Sequence, residues 1–91
     1  MPSFDGRLTE DGRPVSQWLT FKYTAVQIGN FTTHPGTVDL PEGVYIKPGA
    51  YAVELRAGGN CSILVDAVHD ASHGRRHADF NINGPPPALH Q

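Results

Sequence analysis

The sequence predicts a single all-β domain, and three observations support that prediction. Gly and Pro together make up about a fifth of the 91 residues, with ten Gly and eight Pro, against a usual share of ~12%. They recur as turn dipeptides that divide the chain into short segments. The segments between them alternate in polarity or are rich in β-branched and aromatic residues, as strands are. Seven or eight short antiparallel strands in this length predict a small β-sandwich or jelly-roll-like domain, with a small barrel as the alternative.

The first long segment, "QWLTFKYTAVQIG" at 17–29, carries two different alternations. Every second residue from Leu19 to Ala25 lies on one face of an extended chain, whereas Val26 and Ile28 have the opposite parity. A strand keeps one face towards the core, so the two sets cannot belong to one regular strand. We expect a bulge or a change of sheet near Ala25 and Val26.

The clearest local structure is the segment "VYIKPGAYAVELRAGGNCSILVDAV" at 44–68. Pro48 and Gly49 suit the two central positions of a type II turn, because Pro fixes φ and Gly accepts a positive φ. The residues from there to about Ala57 alternate between apolar and polar, which predicts a strand with one buried side.

A hairpin is expected to follow this strand. The Gly-Gly-Asn stretch at 58–60 accepts positive φ and closes the turn. The return strand, "CSILVDAV" at 61–68, is apolar on both faces, so we expect it to be central in its sheet. The remaining strands are predicted at "SFDGRL" (3–8), "TVDL" (37–40), "GVYI" (43–46) and "ADFNI" (78–82).

The β domain is predicted to span residues 1–84, followed by a Pro-rich tail at 85–91. Three consecutive prolines remove backbone donors and favour polyproline II, so the tail cannot join a sheet. Termini of this kind commonly fray. The alternatives are a tail held by its own domain or by a neighbouring subunit.

Composition excludes several classes of partner. The formal charge of −2 and a single adjacent basic pair, Arg75-Arg76, argue against nucleic-acid binding. The sequence contains no run of about 18 apolar residues, so no membrane span is predicted. The N-terminal residues lack the pattern of a signal peptide. The single Cys61 cannot form an internal disulfide, so the fold must rest on packing unless the chain associates with copies or partners.

The histidine-rich segment "VHDASHGRRH" at 68–77 is the strongest candidate for a metal site. In a helix, His69, His73 and His77 would share a face and could hold Zn²⁺. Gly74 and the cap-forming residues around it disfavour a helix. In an extended chain, residues four apart are ~13 Å apart, too far to share an ion. We therefore expect a solvated loop in which one imidazole bonds a carboxylate, with metal binding as an alternative.

No catalytic residue or cofactor is predicted. Cys61 begins an apolar strand without a cationic neighbour, so it is expected to pack as a small hydrophobe. Nucleophile-elbow, phosphate-loop and dinucleotide-binding motifs are absent. The acidic residues single out no acid–base pair and are expected to be surface charges: Asp39, Glu42, Glu54 and Asp66.

Two aromatic residues leave open a ligand-binding alternative. Trp18 and Tyr45 fall outside the alternation expected of core residues, so they could form a stacking platform for sugar rings. This reading predicts a carbohydrate- or ligand-binding module.

The run "IKPGAYAVEL" at 46–55, its Gly-rich hairpin and its apolar return strand resemble the small β-domains of bacteriophage virions, which serve as head-decoration and tail components. The resemblance covers about residues 37–68, and no family site residue is carried over from it. It implies a non-enzymatic, homo-oligomeric role in a virion, for a chain synthesised in the cytoplasm without a signal peptide.

We therefore expect a structural subunit whose partners are copies of itself and other subunits of an assembly. Extended termini cover large areas of a neighbour without needing a core of their own, although they lose entropy on ordering. "MPSFDG" and "GPPPALHQ" are the expected interface arms, and their contact residues are Phe4, Pro85, Pro86, Pro87 and Leu89.

Overall fold

The computed structural model describes residues 2–70, 75–84 and 86–87, and every regular element within those ranges is a strand. The predicted all-β class is confirmed. No helix in the described ranges is long and apolar enough to cross a membrane. The strands are β1 (Ser3–Glu10), β2 (Arg13–Pro14), β3 (Leu19–Tyr23), β4 (Val26–Ile28), β5 (Phe31–Thr33), β6 (Pro35–Leu40), β7 (Gly49–Leu55), β8 (Asn60–Asp70) and β9 (Arg76–Asn83).

Six of these strands close into an antiparallel barrel, in the order β1-β3-β6-β9-β8-β7 and back to β1. The barrel closes because β1 pairs on both sides: its first half lies along β3 and its second half along β7. Gly6 marks the crossing point, opposite Leu19 on one side and Leu55 on the other. The prediction of a β-sandwich or jelly-roll is therefore replaced by the small-barrel alternative. The short β2 pairs with the end of β1.

Apolar side chains fill the barrel interior. Alternate residues of each strand point inward, as the two-residue period of a strand requires. Among the described residues, no polar or charged side chain is buried. The core residues are Phe4, Leu8, Leu19, Phe21, Tyr23, Val38, Leu40, Val44, Val53, Ile63, Val65, Ala78, Phe80 and Ile82.

The predicted β7–β8 hairpin is confirmed. Gly58 and Gly59 have φ values of 107° and 84°, which favour glycine. The Leu55 amide donates to the Gly59 carbonyl at 2.9 Å, which closes the turn. The central position expected for the return strand is also confirmed, because β8 pairs with β7 on one side and β9 on the other.

The expected strand at 43–46 is wrong. These residues belong to an irregular connection between β6 and β7, in which the Val44 amide donates to the Pro41 carbonyl at 3.1 Å. Val44 packs in the core whereas Tyr45 is exposed. The alternation that suggested a strand thus reflects one side chain anchoring a surface connection to the barrel.

The two expected interface arms have different positions. Phe4 belongs to the barrel core, where its ring stacks on that of Phe21 with centroids 5.1 Å apart. Its burial follows from the role of β1 in closing the barrel. In the C-terminal tail, Pro86 and Pro87 are half-buried. Pro85 and Leu89 lie outside the described residues.

Candidate functional site

The β4–β5 hairpin forms a small sheet separate from the barrel. Its existence confirms the change of sheet expected near Ala25 and Val26. The two strands are joined by Gly29 and Asn30, and Gly29 has a φ of 59°, as the first position of a type II′ turn requires. At the base of the hairpin, the Thr24 amide donates to the Pro35 carbonyl at 3.0 Å. We call Val26–Thr33 the hairpin arm.

One face of the hairpin arm is apolar and exposed. In the register, Val26 lies opposite Thr33 and Ile28 lies opposite Phe31, so these four side chains share a face. Val26, Ile28 and Phe31 keep 40%, 52% and 61% of their surface exposed. Gln27 on β4 and its partner on β5 form the other, polar face. The arm is therefore amphipathic, but its apolar face is not packed against the barrel.

Sequence reasoning did not identify the hairpin arm as a site. A signal was present, because the Gly-Asn pair at 29–30 sits between two short segments rich in β-branched and aromatic residues. Three-residue strands are too short for their alternation to stand out. The sequence cannot show that the apolar face is exposed, because exposure depends on whether the barrel extends far enough to cover the arm.

A second candidate site lies on the outer surface of the β8–β9 hairpin. His69 and His77 are paired in the register, and their rings stack with centroids 4.9 Å apart. Asp79 lies two residues beyond His77 on the same face of β9. The His69 Nε2–H group donates to Asp79 Oδ2 at 2.8 Å. Two imidazoles and one carboxylate thus converge on one patch, which we call the histidine cluster.

A β-bulge places His69 in this cluster. Val65 pairs with Phe80 and Ala67 pairs with Asp79, so Asp66 is an extra residue in β8. Ahead of the bulge, the odd-numbered residue Val65 points into the core; beyond it, the odd-numbered His69 points outward. The Asn81 amide donates to the Asp66 carboxylate at 2.9 Å across the bulge.

The prediction of a loop over 68–77 is wrong for His69 and His77, because His69 lies near the end of β8 and His77 lies in β9. The ~13 Å separation assumed one continuous extended chain, whereas the chain reverses and antiparallel neighbours face each other at ~5 Å. The expectation that one imidazole would bond a carboxylate is confirmed by His69. His73 lies outside the described residues.

Trp18 and Tyr45 are both exposed, at 40% and 77%. The Arg7 guanidinium lies 4.8 Å from the centroid of the Trp18 ring, and that of Arg76 lies 4.4 Å from the centroid of the Tyr45 ring. An open groove of about 730 Å³ runs beside Trp18 and is also lined by Arg76. A sugar stacking on either ring would compete with a cation–π contact. Carbohydrate binding by these residues stays a prediction.

Cys61 and the acidic residues have the environments expected of structural groups. Burial raises the pKa of the Cys61 thiol to about 11, which disfavours the nucleophilic thiolate. The Glu54 carboxylate accepts a hydrogen bond from Arg7 across the β1–β7 pair. Asp39 and Glu42 are exposed.

Comparison with known proteins found no match for this chain. No protein-family model matches it, and neither a curated protein nor a solved structure matches it. Function is therefore inferred from the geometry of the hairpin arm and of the histidine cluster.

Proposed function

We propose that the protein is a non-enzymatic structural subunit that assembles with copies of itself, and that the hairpin arm makes the contact between copies. The observation that carries this proposal is the apolar face of Val26, Ile28 and Phe31, which is exposed in the single chain. Exposed apolar faces of this kind mark interaction surfaces.

Energetic considerations support a partner on this face. Fully burying one large apolar side chain is worth about 1.5–3 kcal/mol, and three such side chains lie together on the arm. An isolated two-stranded hairpin is marginally stable in water. A partner that covers the apolar face would therefore bury surface and order the arm in a single step.

Charge favours a second copy as that partner. Residues 26–33 contain no charged side chain, so two arms meet without like-charge repulsion. Contact through the same face on both copies is the two-fold arrangement most common among homo-oligomers. Closure of the barrel also removes the free edges of six strands, so copies join through side-chain faces or through the arm rather than by extending the main sheet.

The tail at 85–91 is proposed to contribute to the same assembly. The half-buried state of Pro86 and Pro87 supports a tail that is not fully exposed to solvent where it begins. A virion, with the protein as a head-decoration or tail component made in the cytoplasm, is the proposed setting. Support for the setting is the resemblance of residues 37–68 to such domains.

The experiment is light scattering coupled to size-exclusion chromatography at up to millimolar chain concentration. We expect the wild-type chain to elute as a multiple of 9.9 kDa and the double variant Ile28→Thr/Phe31→Thr to elute as a monomer. Its melting temperature should match that of the wild type at a dilution where both are monomeric, because association itself stabilises the folded state. Leu64→Thr is the matched control, because Leu64 is 47% exposed on the barrel surface, and it should assemble like wild type.

Three outcomes would contradict the proposal. A wild-type chain that stays monomeric throughout the concentration range would exclude self-assembly. An oligomer that survives the double variant, or that is lost equally in the Leu64→Thr control, would exclude the hairpin arm as its contact.

A further inference from the structure

We propose that the histidine cluster is a binding site for a divalent transition-metal ion of the Zn²⁺ type. The ligands are one ring nitrogen from each of His69 and His77 and one carboxylate oxygen of Asp79. This site is separate from the hairpin arm and does not depend on self-assembly.

The three side chains are close enough to share one ion. A ligand atom from each lies within 4.8 Å of the other two, and His69 Nε2 is already 2.8 Å from Asp79 Oδ2. Zn²⁺ binds nitrogen at about 2.0–2.1 Å, so two ligand atoms at a tetrahedral ion are roughly 3.3 Å apart. The remaining adjustment is a small rotation of side chains that are about half-exposed, at 48% for His69 and 43% for Asp79.

Strand geometry holds the ligands in place. His77 and Asp79 are two residues apart on β9 and therefore share its outer face, and His69 lies directly across on β8. The bulge at Asp66 sets the parity that turns His69 outward. A site built on two paired strands is more precise than one built on a loop.

The state of His77 favours a ligand over a purely structural role. His69 and Asp79 already satisfy each other through their hydrogen bond. Among the described residues, no side chain makes a hydrogen bond to the His77 ring, although that ring stacks against His69. On metal binding, a nitrogen of the His77 ring becomes a ligand. The ion takes the place of the proton that His69 shares with Asp79, and that proton is released to water.

The donor set selects the class of metal. Imidazole nitrogen suits Zn²⁺, Ni²⁺ and Cu²⁺, whereas Mg²⁺ and Ca²⁺ prefer oxygen-only sites. Three protein ligands leave one tetrahedral position for water. Asp39 lies across from His77 on β6, on the same outer face, and adds negative charge beside the cluster.

The test is calorimetric titration of ZnCl₂ into the full chain, carrying no histidine tag. We expect one Zn²⁺ per chain and a rise in melting temperature with the metal, because an ion that binds only the folded state stabilises it. His69→Ala and His77→Ala should weaken binding by more than the roughly 10–100-fold that loss of an outer-shell partner costs. Asp79→Asn should also weaken it, by at least about tenfold.

Two matched controls decide whether the site is the one proposed. His34→Ala removes an imidazole that lies beside Tyr23, outside the cluster, and should leave the affinity unchanged. Melting temperatures of the metal-free variants verify that each one folds. The proposal is overturned by an absence of saturable Zn²⁺ binding, by binding that survives His69→Ala and His77→Ala, or by binding that His73→Ala abolishes while those two variants retain it.

Discussion

His69 and His77 lie directly opposite each other on β8 and β9, with their rings stacked at an interplanar angle of 27°. Both project from the barrel, and the core is complete without them. Exposed pairs of polar side chains contribute little to stability. The stacked pair is therefore free to serve a ligand without the fold depending on it.

The first prediction concerns the cost of losing one ring. His77→Ala in the presence of chelator should change the free energy of unfolding by less than about 1 kcal/mol, because the half-buried ring contacts His69 outside the core. Urea unfolding followed by tryptophan fluorescence measures the change. A loss above about 2 kcal/mol would indicate that the pair is structural.

The second prediction concerns the aromatic core. Phe21 is fully buried and contacts Phe4 and, edge to face, Phe80 with ring centroids 5.6 Å apart. Phe21→Ala should lower the free energy of unfolding by about 3–5 kcal/mol, since it leaves a cavity. Lys22→Ala, at the exposed neighbouring position, should change it by less than about 0.5 kcal/mol. Equal effects of the two would argue against this core.

The third prediction concerns a close approach of strands. A Cβ on Gly36 would lie 2.2 Å from the Lys22 carbonyl oxygen and 2.7 Å from Phe80 Cζ. Gly36→Ala should therefore destabilise the protein by about 1–3 kcal/mol or more, as overpacking does. Thr37→Ala, at the adjacent exposed position, is the control. Thermal melting compares them, and a Gly36→Ala chain as stable as the control would contradict the β3–β6–β9 packing.

The fourth prediction concerns Cys61 at alkaline pH. Burial raises its pKa from 9.0 to about 11, so the folded chain holds the thiol proton more tightly than the unfolded chain. The resulting stability is fully present below pH 9 and is lost as the pH rises towards 11. Over this range the melting temperature of the wild type should fall relative to that of Cys61→Ala, which has no thiol to titrate. A difference that stays constant would contradict the raised pKa.

Alkylation provides an independent check on the same thiol. At pH 8 the folded chain should react with iodoacetamide much more slowly than the chain unfolded in urea, because the thiolate is the nucleophile. Equal rates in the two states would show that Cys61 is exposed.

Local chemistry made part of this fold predictable. The β7–β8 hairpin depends on glycines at 58 and 59, whose need for positive φ is visible in the sequence. The change of sheet near Val26 follows from a shift of parity within one segment. Both features involve residues that are close along the chain.

Closure of the barrel could not be predicted from local patterns in the sequence. It depends on β1 pairing with β7, which brings Gly6 opposite Leu55 across a long stretch of sequence. No local pattern marks such a pairing, and a sandwich has the same alternation as a barrel. The sequence singled out the histidines of the cluster as metal candidates but not their arrangement, because that depends on which two residues face each other across a hairpin.

The extra residue at Asp66 resets the alternation of β8. If the strand ran past Val65 with regular alternation and Asp66 were paired, Val68 would face water and His69 would face the apolar interior. The bulge takes up Asp66, so Val68 lies on the core side and His69 lies outside. Because one unpaired residue decides which side chains reach the outer patch, the composition of that patch is set by a count of residues as much as by their chemistry.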